Sequence, residues 1–233
     1  MITQRLIKYV DCNNPGSLGF RVRKRRNRLI HNLIKQLGDS DIQILDVGGT
    51  PDFWNNMGFI GNEKCKIIIF NLQKYDTQNY VFMNSVKGDG RNMDMFSDKE
   101  FDLVISNSVI EHVGNFDDQK RFAQEIMRLG NNYLLQTPNY YFPMEPHFLF
   151  PFFQFLPDRA KFFLIMHFNL GWYRKRSERS EIQNVLNSVK LLKRRDLASL
   201  FPEAIISEER IFGIAQSLLA IGGERAKESL QDN

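Results

Sequence analysis

Apolar residues recur along this chain in two alternating rhythms. From Leu18 to Leu37, the residues Val22, Leu29, Ile30, Leu33, Ile34 and Leu37 fall at helical spacing and Gly38 ends the run, which predicts an amphipathic helix. The segment before it reads as loop, closing at Asn14-Pro15-Gly16. Asp41–Asp46 then predicts a first strand. Thr50 suits the N-cap and Pro51 the first position of a short helix, which Gly58 and Gly61-Asn62 stop. Cys65–Phe70, apolar but for Lys66, predicts a strand buried on both faces. Tyr80–Met83 predicts a third strand before the turn Lys87-Gly88-Asp89-Gly90, and Phe101–Ser106 a fourth. A helix over Asn115–Leu129, closed by Gly130-Asn131-Asn132, leads to a fifth strand at Tyr133–Gln136. Strands alternating with helices imply a parallel sheet with right-handed crossovers.

The rhythm breaks between about Tyr140 and Ser188, a long aromatic stretch that reads as a helical insertion. It resumes with a helix near Arg195–Leu200 and two closing strands, Ala204–Glu209 and Ile214–Ile221. The expected fold class is therefore α/β: a mostly parallel seven-stranded sheet, helices on both faces, and a helical cap at 140–190. The chain is read as one domain over 1–233, with 1–37 as a basic N-terminal helical segment.

Polar or glycine residues stand at the C-terminal ends of the first five predicted strands: Asp46/Gly48/Gly49, Asn71, Asp89, Asn107 and Thr137/Asn139. Ligands of open parallel sheets bind outside those carboxyl ends, so the pattern describes a site. At Asp46–Thr50 the two glycines either make a tight strand-to-helix turn or let a ligand lie against the backbone. Asp89 in Gly-Asp-Gly is equally a turn residue. Thr50 and Asp52 stand where GxGxxG needs further glycines, and Asn71 where a nicotinamide dinucleotide site needs an acid. Both argue against a dehydrogenase.

In order and spacing, the segments ILDVGGT, IIIFNL, GDGRNM, FDLVISNSVIEHV and TPNYYFPMEPHFLFP resemble the class I S-adenosyl-L-methionine-dependent methyltransferases, type 11 or type 23, with their Rossmann-like sheet. The closing LASLFPEAIISEERIFGIAQSLLA fits as well, so the resemblance runs from about Arg21 to Ala220. It implies S-adenosyl-L-methionine as cofactor. Asp46 would face its amino group, Gly48 and Gly49 its methionine and ribose portion, and Asn107 would help hold the methionine amine through its main chain. Asn71, followed by Leu72, stands where the family has an acid for the ribose hydroxyls; an amide can accept one bond and donate another. Asp89 matches the carboxylate that accepts the adenine amino group, with Gly90 beside the ring.

The cofactor supplies the electrophile, so the protein must align the acceptor and take a proton from a hydroxyl nucleophile. His147, His112 and Glu145 are the candidates, all just past the fourth or fifth strand; the structural alternative is that Glu145 and His147 anchor the insertion while Glu111 and His112 pack a helix start. His31 and His167 read as structural. The expected activity is methyl transfer to an oxygen of a small molecule, phosphorylated or lipid-linked acceptors included. A non-catalytic relative of the fold and an RNA methyltransferase stay open as alternatives, with nucleic acid not the expected partner.

Composition changes this little. A net charge of +4 and pI near 9.0 permit an anionic partner without demanding one. The run Arg21–Arg28 reads as a solvated helix face or, more sharply, as a phosphate-binding edge. Twenty phenylalanines, many in the insertion, suit the core of a lid or a surface resting on a membrane or a second copy. Cys12 and Cys65 make neither a disulfide framework nor a metal-ligand spacing, so no metal and a reducing cytoplasmic setting are expected. The most apolar window, His147–Phe168, is broken by Pro151 and Pro157 and makes a poor membrane span; the first twenty residues do not read as a signal peptide.

Overall fold

A computed structural model describes residues 17–38, 41–58 and 65–228, so the N-terminal loop and Cys12 lie outside the described residues. Helix α1 (Leu18–Leu37) starts where the Ser17 hydroxyl accepts the Phe20 amide and ends at Gly38. Strand β1 (Ile42–Val47) runs into the glycine turn and α2 (Pro51–Asn56), whose proline takes the first helical position. β2 (Cys65–Asn71), β3 (Met83–Lys87), β4 (Phe101–Asn107), α3 (Phe116–Leu129) and β5 (Gly130–Pro138) follow. Asn115 and Asp118 start α3 with a reciprocal capping box.

The seven-stranded sheet has the order β3-β2-β1-β4-β5-β9-β8. Strands β1 to β5 pair in parallel, and β9 (Ile214–Gly222) runs antiparallel to both β5 and β8 (Ile205–Ile211). Chain order reverses across β1 and β4, which opens a crevice beyond Asp46 and Asn107. Ile44 packs with α1 residues Ile30 and Leu33 and with Trp54 on one face; Leu45, next in sequence, packs with Phe70, Phe122 and Ile126 on the other. Both are fully buried, as an inner strand covered by helices requires.

Three elements depart from expectation. The third strand is Met83–Lys87 rather than Tyr80–Met83, and Val81 is fully exposed. β3 is an edge strand, which needs no continuous apolar run. β5 extends back to Gly130, because Asn132 is held as strand rather than turn: its amide donates to the Asp102 carbonyl and accepts from Ala226. The insertion is only partly helical. It opens with the hairpin β6 (Met144–Glu145) and β7 (Phe150–Pro151) and a 3-10 turn at Phe153–Phe155, before α4 (Asp158–His167) and α5 (Arg179–Asn187). Phe148, Phe153, Ile165, Leu170 and Ile182 form its own small core, while Phe152, Phe155, Phe163 and Phe168 are exposed. α6 (Arg194–Leu200) returns the chain to the sheet and α7 (Glu224–Glu228) follows it. No helix among the described residues is long and apolar enough to cross a membrane.

The basic run of α1 is not uniformly solvated. Lys24, Arg25 and Arg28 are exposed, but Arg26 shares the face of Ile30 and Leu33 and is buried. Its Nε and Nη2 donate to the Glu209 carboxylate at 2.9 and 2.6 Å, and its Nη1 to Gln136 Oε1 at 2.9 Å and to Asn107 Oδ1. Removing one member of such a buried pair strands the other charge, so Arg26→Ala should cost about 3–5 kcal/mol in urea unfolding. Arg26→Met with Glu209→Leu should recover most of that loss; a single variant as stable as wild type would show the network to be incidental.

Candidate active site

Of the expected cofactor residues, Asp46, Gly48, Gly49 and Asn107 line one cavity of about 880 Å³ at the β1/β4 switch. The α1 residues Arg23, Lys24, Asn27, Arg28 and His31 form its opposite wall, so the basic helix faces the crevice. Asn71, Leu72, Asp89 and Gly90 are not in that wall but at the neighbouring strand ends.

Asp46 is buried at the end of β1. Its Oδ2 accepts the Trp54 indole N–H at 2.8 Å, while Oδ1 is buried without a hydrogen-bond donor. Burial pushes its pKa up to about 7, against the opposing pull of the Trp54 bond. The two glycines are required by the protein itself. Gly48 has φ +81° and a Cβ there would fall 2.3 Å from a Val109 methyl; one on Gly49 would fall 1.7 Å from Asp46 Oδ2. The Gly49 backbone therefore lies directly over the carboxylate. Asn71 spends its amide N–H on the Gly49 carbonyl at 2.9 Å, tying β2 to the turn.

Asp89 is held by Arg91, whose Nε and Nη2 fork onto it at 3.0 and 2.5 Å while Nη1 reaches Asp118 at 3.1 Å. These bonds hold the Asp89 carboxyl below the usual range, chiefly through the Arg91 side chain. The sequence reading missed Arg91, although two residues' separation from Asp89 in a tight turn was a signal.

Past β4, Ile110–His112 forms a 3-10 turn that presents His112 to the hairpin bearing Glu145 and His147. The two histidine Nε2 atoms stand 3.1 Å apart. His147 Nδ1 meets Glu145 Oε1 at 2.7 Å, and His112 Nδ1 meets the Ser188 carbonyl at 3.0 Å. Glu145 Oε2 accepts the His147 and Phe148 amides, so Glu145 both shapes the hairpin and orients the ring. Burial lowers the His147 pKa, but the bond to Glu145 and the charges of Glu145 and Glu111 outweigh it and leave it raised. Glu111, read earlier as packing a helix start, is fully buried: Oε2 accepts the Thr137 hydroxyl at 3.0 Å and Oε1 has no donor. Burial drives its pKa up. His31 faces the Met57 carbonyl, and His167 lies against the Phe163 ring.

A second cavity, of about 870 Å³, lies in the cap. Phe148, Phe153 and Phe162 give it an apolar wall, Arg159, Arg179 and Lys190 a cationic one, and Glu145 borders it.

Residues 65–132 match the family described as "Methyltransferase domain". The match covers 68 of the 233 residues. S-adenosyl-L-methionine is the cofactor that this family implies. Among solved structures, the domain is similar to the DszA carbon methyltransferase, with TM-score 0.56 and 16% identity over 89% of this chain and 55% of that one. An S-adenosylmethionine-dependent methyltransferase of Clostridium acetobutylicum gives TM-score 0.52 and 11% identity over 85% of this chain and 90% of that one. At these identities the likeness is one of fold. An uncharacterized protein of Mycobacterium tuberculosis is 42% identical over 60 residues, 26% of this chain. The match spans a fifth of that relative's length.

A domain that buries an aspartate with one oxygen unpartnered should lose stability on ionising it. The folded pKa is raised, so the unfolded chain loses the Asp46 proton first, and stability falls as pH rises from 3.8 to about 7, then levels off. Asp46→Asn keeps an acceptor for Trp54 and abolishes that slope. Without cofactor it should match wild type near the lower limit and exceed it at pH 8 by at most about 4 kcal/mol. Equal melting curves at both pH values would contradict the burial argument.

Proposed function

We propose that this chain transfers the methyl group of S-adenosyl-L-methionine to an oxygen of a small-molecule acceptor held in the cap cavity. The observation that carries the reading is Asp46 Oδ1, a buried carboxylate oxygen without a donor in the wall of the glycine-turn cavity. An amino group is the natural partner for it, directly or through one water. Gly48 and Gly49 would lie along the methionine and ribose portion, with the Asn107 main chain beside the amine. Asn71 Oδ1 would accept from the ribose near Leu72, and Asp89 would share its carboxylate between Arg91 and the adenine amino group above Gly90. When bound, the cofactor supplies a methyl group on a sulfonium, open to in-line attack.

The chain's own residues then have two tasks. The cap cavity must orient the acceptor, and its mixed lining suits a molecule with an apolar body and an anionic group, phosphorylated or lipid-linked acceptors included. Gln154 borders it with a buried Oε1 that lacks a donor, while its amide is spent on the Tyr140 and Phe142 carbonyls. That oxygen is placed to accept from an acceptor hydroxyl or amide. The acceptor's own proton falls to the His112–His147 pair, with Glu145 orienting His147 and the Glu145 carboxylate edging the cavity.

Calorimetric titration tests the cofactor half. Micromolar S-adenosyl-L-methionine binding, lost in Asp46→Ala and reduced in Asp89→Ala, is the expected result; no binding by the folded wild type would refute it. Because the amino group favours ionised Asp46, affinity should fall up to about tenfold per pH unit below the raised pKa of about 7. Asp46→Asn should bind weakly and without that slope. With an acceptor identified by labelled methyl transfer, His147→Ala should lower kcat by about 10²–10⁴-fold and leave cofactor affinity unchanged.

A further inference from the structure

The two histidines of this pair face each other with the wrong atoms for a hydrogen bond between neutral rings. His112 Nδ1 stands 3.0 Å from the Ser188 carbonyl, which can only accept, so Nδ1 carries the hydrogen. His147 Nδ1 stands 2.7 Å from Glu145, whose other oxygen takes two backbone amides as a carboxylate does, so that Nδ1 also donates. Both Nε2 atoms are therefore lone-pair nitrogens, and they lie 3.1 Å apart with ring planes at 88°. Two lone pairs at that distance repel unless something positive sits between them.

Glu111 supplies a third donor. Its carboxylate and the two imidazole nitrogens lie within 4.8 Å of one another, and Glu111 Oε1 is buried with no hydrogen-bond donor. We propose that Glu111, His112 and His147 hold a first-row divalent transition cation. Two nitrogens bound at about 2.1 Å with an angle of 90–110° at the ion stand about 3.0–3.4 Å apart, which brackets the observed pair. A two-histidine, one-carboxylate face leaves other positions open, and imidazole ligands favour zinc, iron or cobalt over magnesium or calcium. The remaining contacts have the arrangement that supports metal ligands: each Nδ1–H is fixed by an oxygen, Glu145 for one ring and the Ser188 carbonyl for the other, and Glu111 is fixed by Thr137.

The assignment of the cation stands on these side chains alone; its role rests on the methyl-transfer reading. An acceptor hydroxyl bound at an open position would lose its proton to solvent more readily than a free one, and would present an oxyanion to the methyl group. With both Nε2 lone pairs on the cation, solvent rather than the histidine pair takes that proton.

The full chain, stripped with chelator and dialysed, is titrated with Zn²⁺ by calorimetry and with Co²⁺ by visible absorption. One equivalent of each should bind, with cobalt bands that report nitrogen and oxygen ligands. His112→Gln and His147→Ala should each weaken binding at least 100-fold, and Glu145→Gln, which leaves the ligands in place, about 10–100-fold. The double variant His31→Gln/His167→Gln, which removes the other two of the four histidines, should bind as wild type. His112 is exposed, so its variant tests the site even where His147→Ala unfolds. No saturable binding by the folded protein would overturn the proposal and leave a shared proton between the rings. Binding that survives His112→Gln but is lost in the double variant would overturn it too. S-adenosyl-L-methionine titration of the same preparation runs separately: metal binding without cofactor binding upholds the cation site and sinks only the methyl-transfer reading.

Discussion

The Arg26 guanidinium joins three strands to the first helix. It donates to Asn107 at the end of β4, to Gln136 near the end of β5, and to Glu209 of β8, all from the core face of α1. A charge of that size is tolerated in the interior because its donors meet acceptors and its countercharge is buried beside it. The position of α1 over the crevice follows from this anchor. Arg23, Lys24 and Arg28 come to line the glycine-turn cavity because Arg26, on the adjoining face of the same helix, is fixed to the sheet.

Asp46 represents the opposite arrangement. Its carboxylate has one strong donor, Trp54, and a glycine backbone pressed over it, so the isolated protein carries an electrostatic debt at neutral pH. Structures keep such a group where a ligand relieves it. Glu111, in the 3-10 turn past β4, repeats the pattern, with one oxygen bonded and one bare. In the proposed reaction these two half-satisfied carboxylates would serve different partners, Asp46 the cofactor and Glu111 the acceptor side.

Much of this was legible in the sequence. Apolar runs ending on Asp46, Asn71, Asn107 and Thr137 marked where the strands of the sheet end, because inner strands must be apolar up to the point where they emerge. His112 and His147 were expected just beyond the fourth and fifth strands; that they meet at 3.1 Å is a finding of the fold. What stayed hidden was set by tertiary partners. Arg26 reads as solvent-facing in a run of basic residues, and its acceptors lie 81, 110 and 183 residues away. Met83–Lys87 pairs on one side only, so its polar residues gave no strand signal. Glu111 looked like a helix start, since nothing local marks a carboxylate whose partner is a threonine on the next strand.

The antiparallel β9 has a consequence for how the molecule comes into being. It is inserted between β5 and β8, so the last strands of the sheet cannot add as a simple extension of the growing parallel order. On the ribosome, β1 to β5 emerge well before Ile205–Gly222, and until then Arg26 has no carboxylate and β5 has an open edge. Such long-range closure slows folding and prolongs exposure of the unpaired strand. The nascent chain can assemble the glycine turn early, yet Arg26 on its first helix gains its countercharge only when the final hairpin arrives. The anchor is thus completed from both ends of the described chain at one late moment.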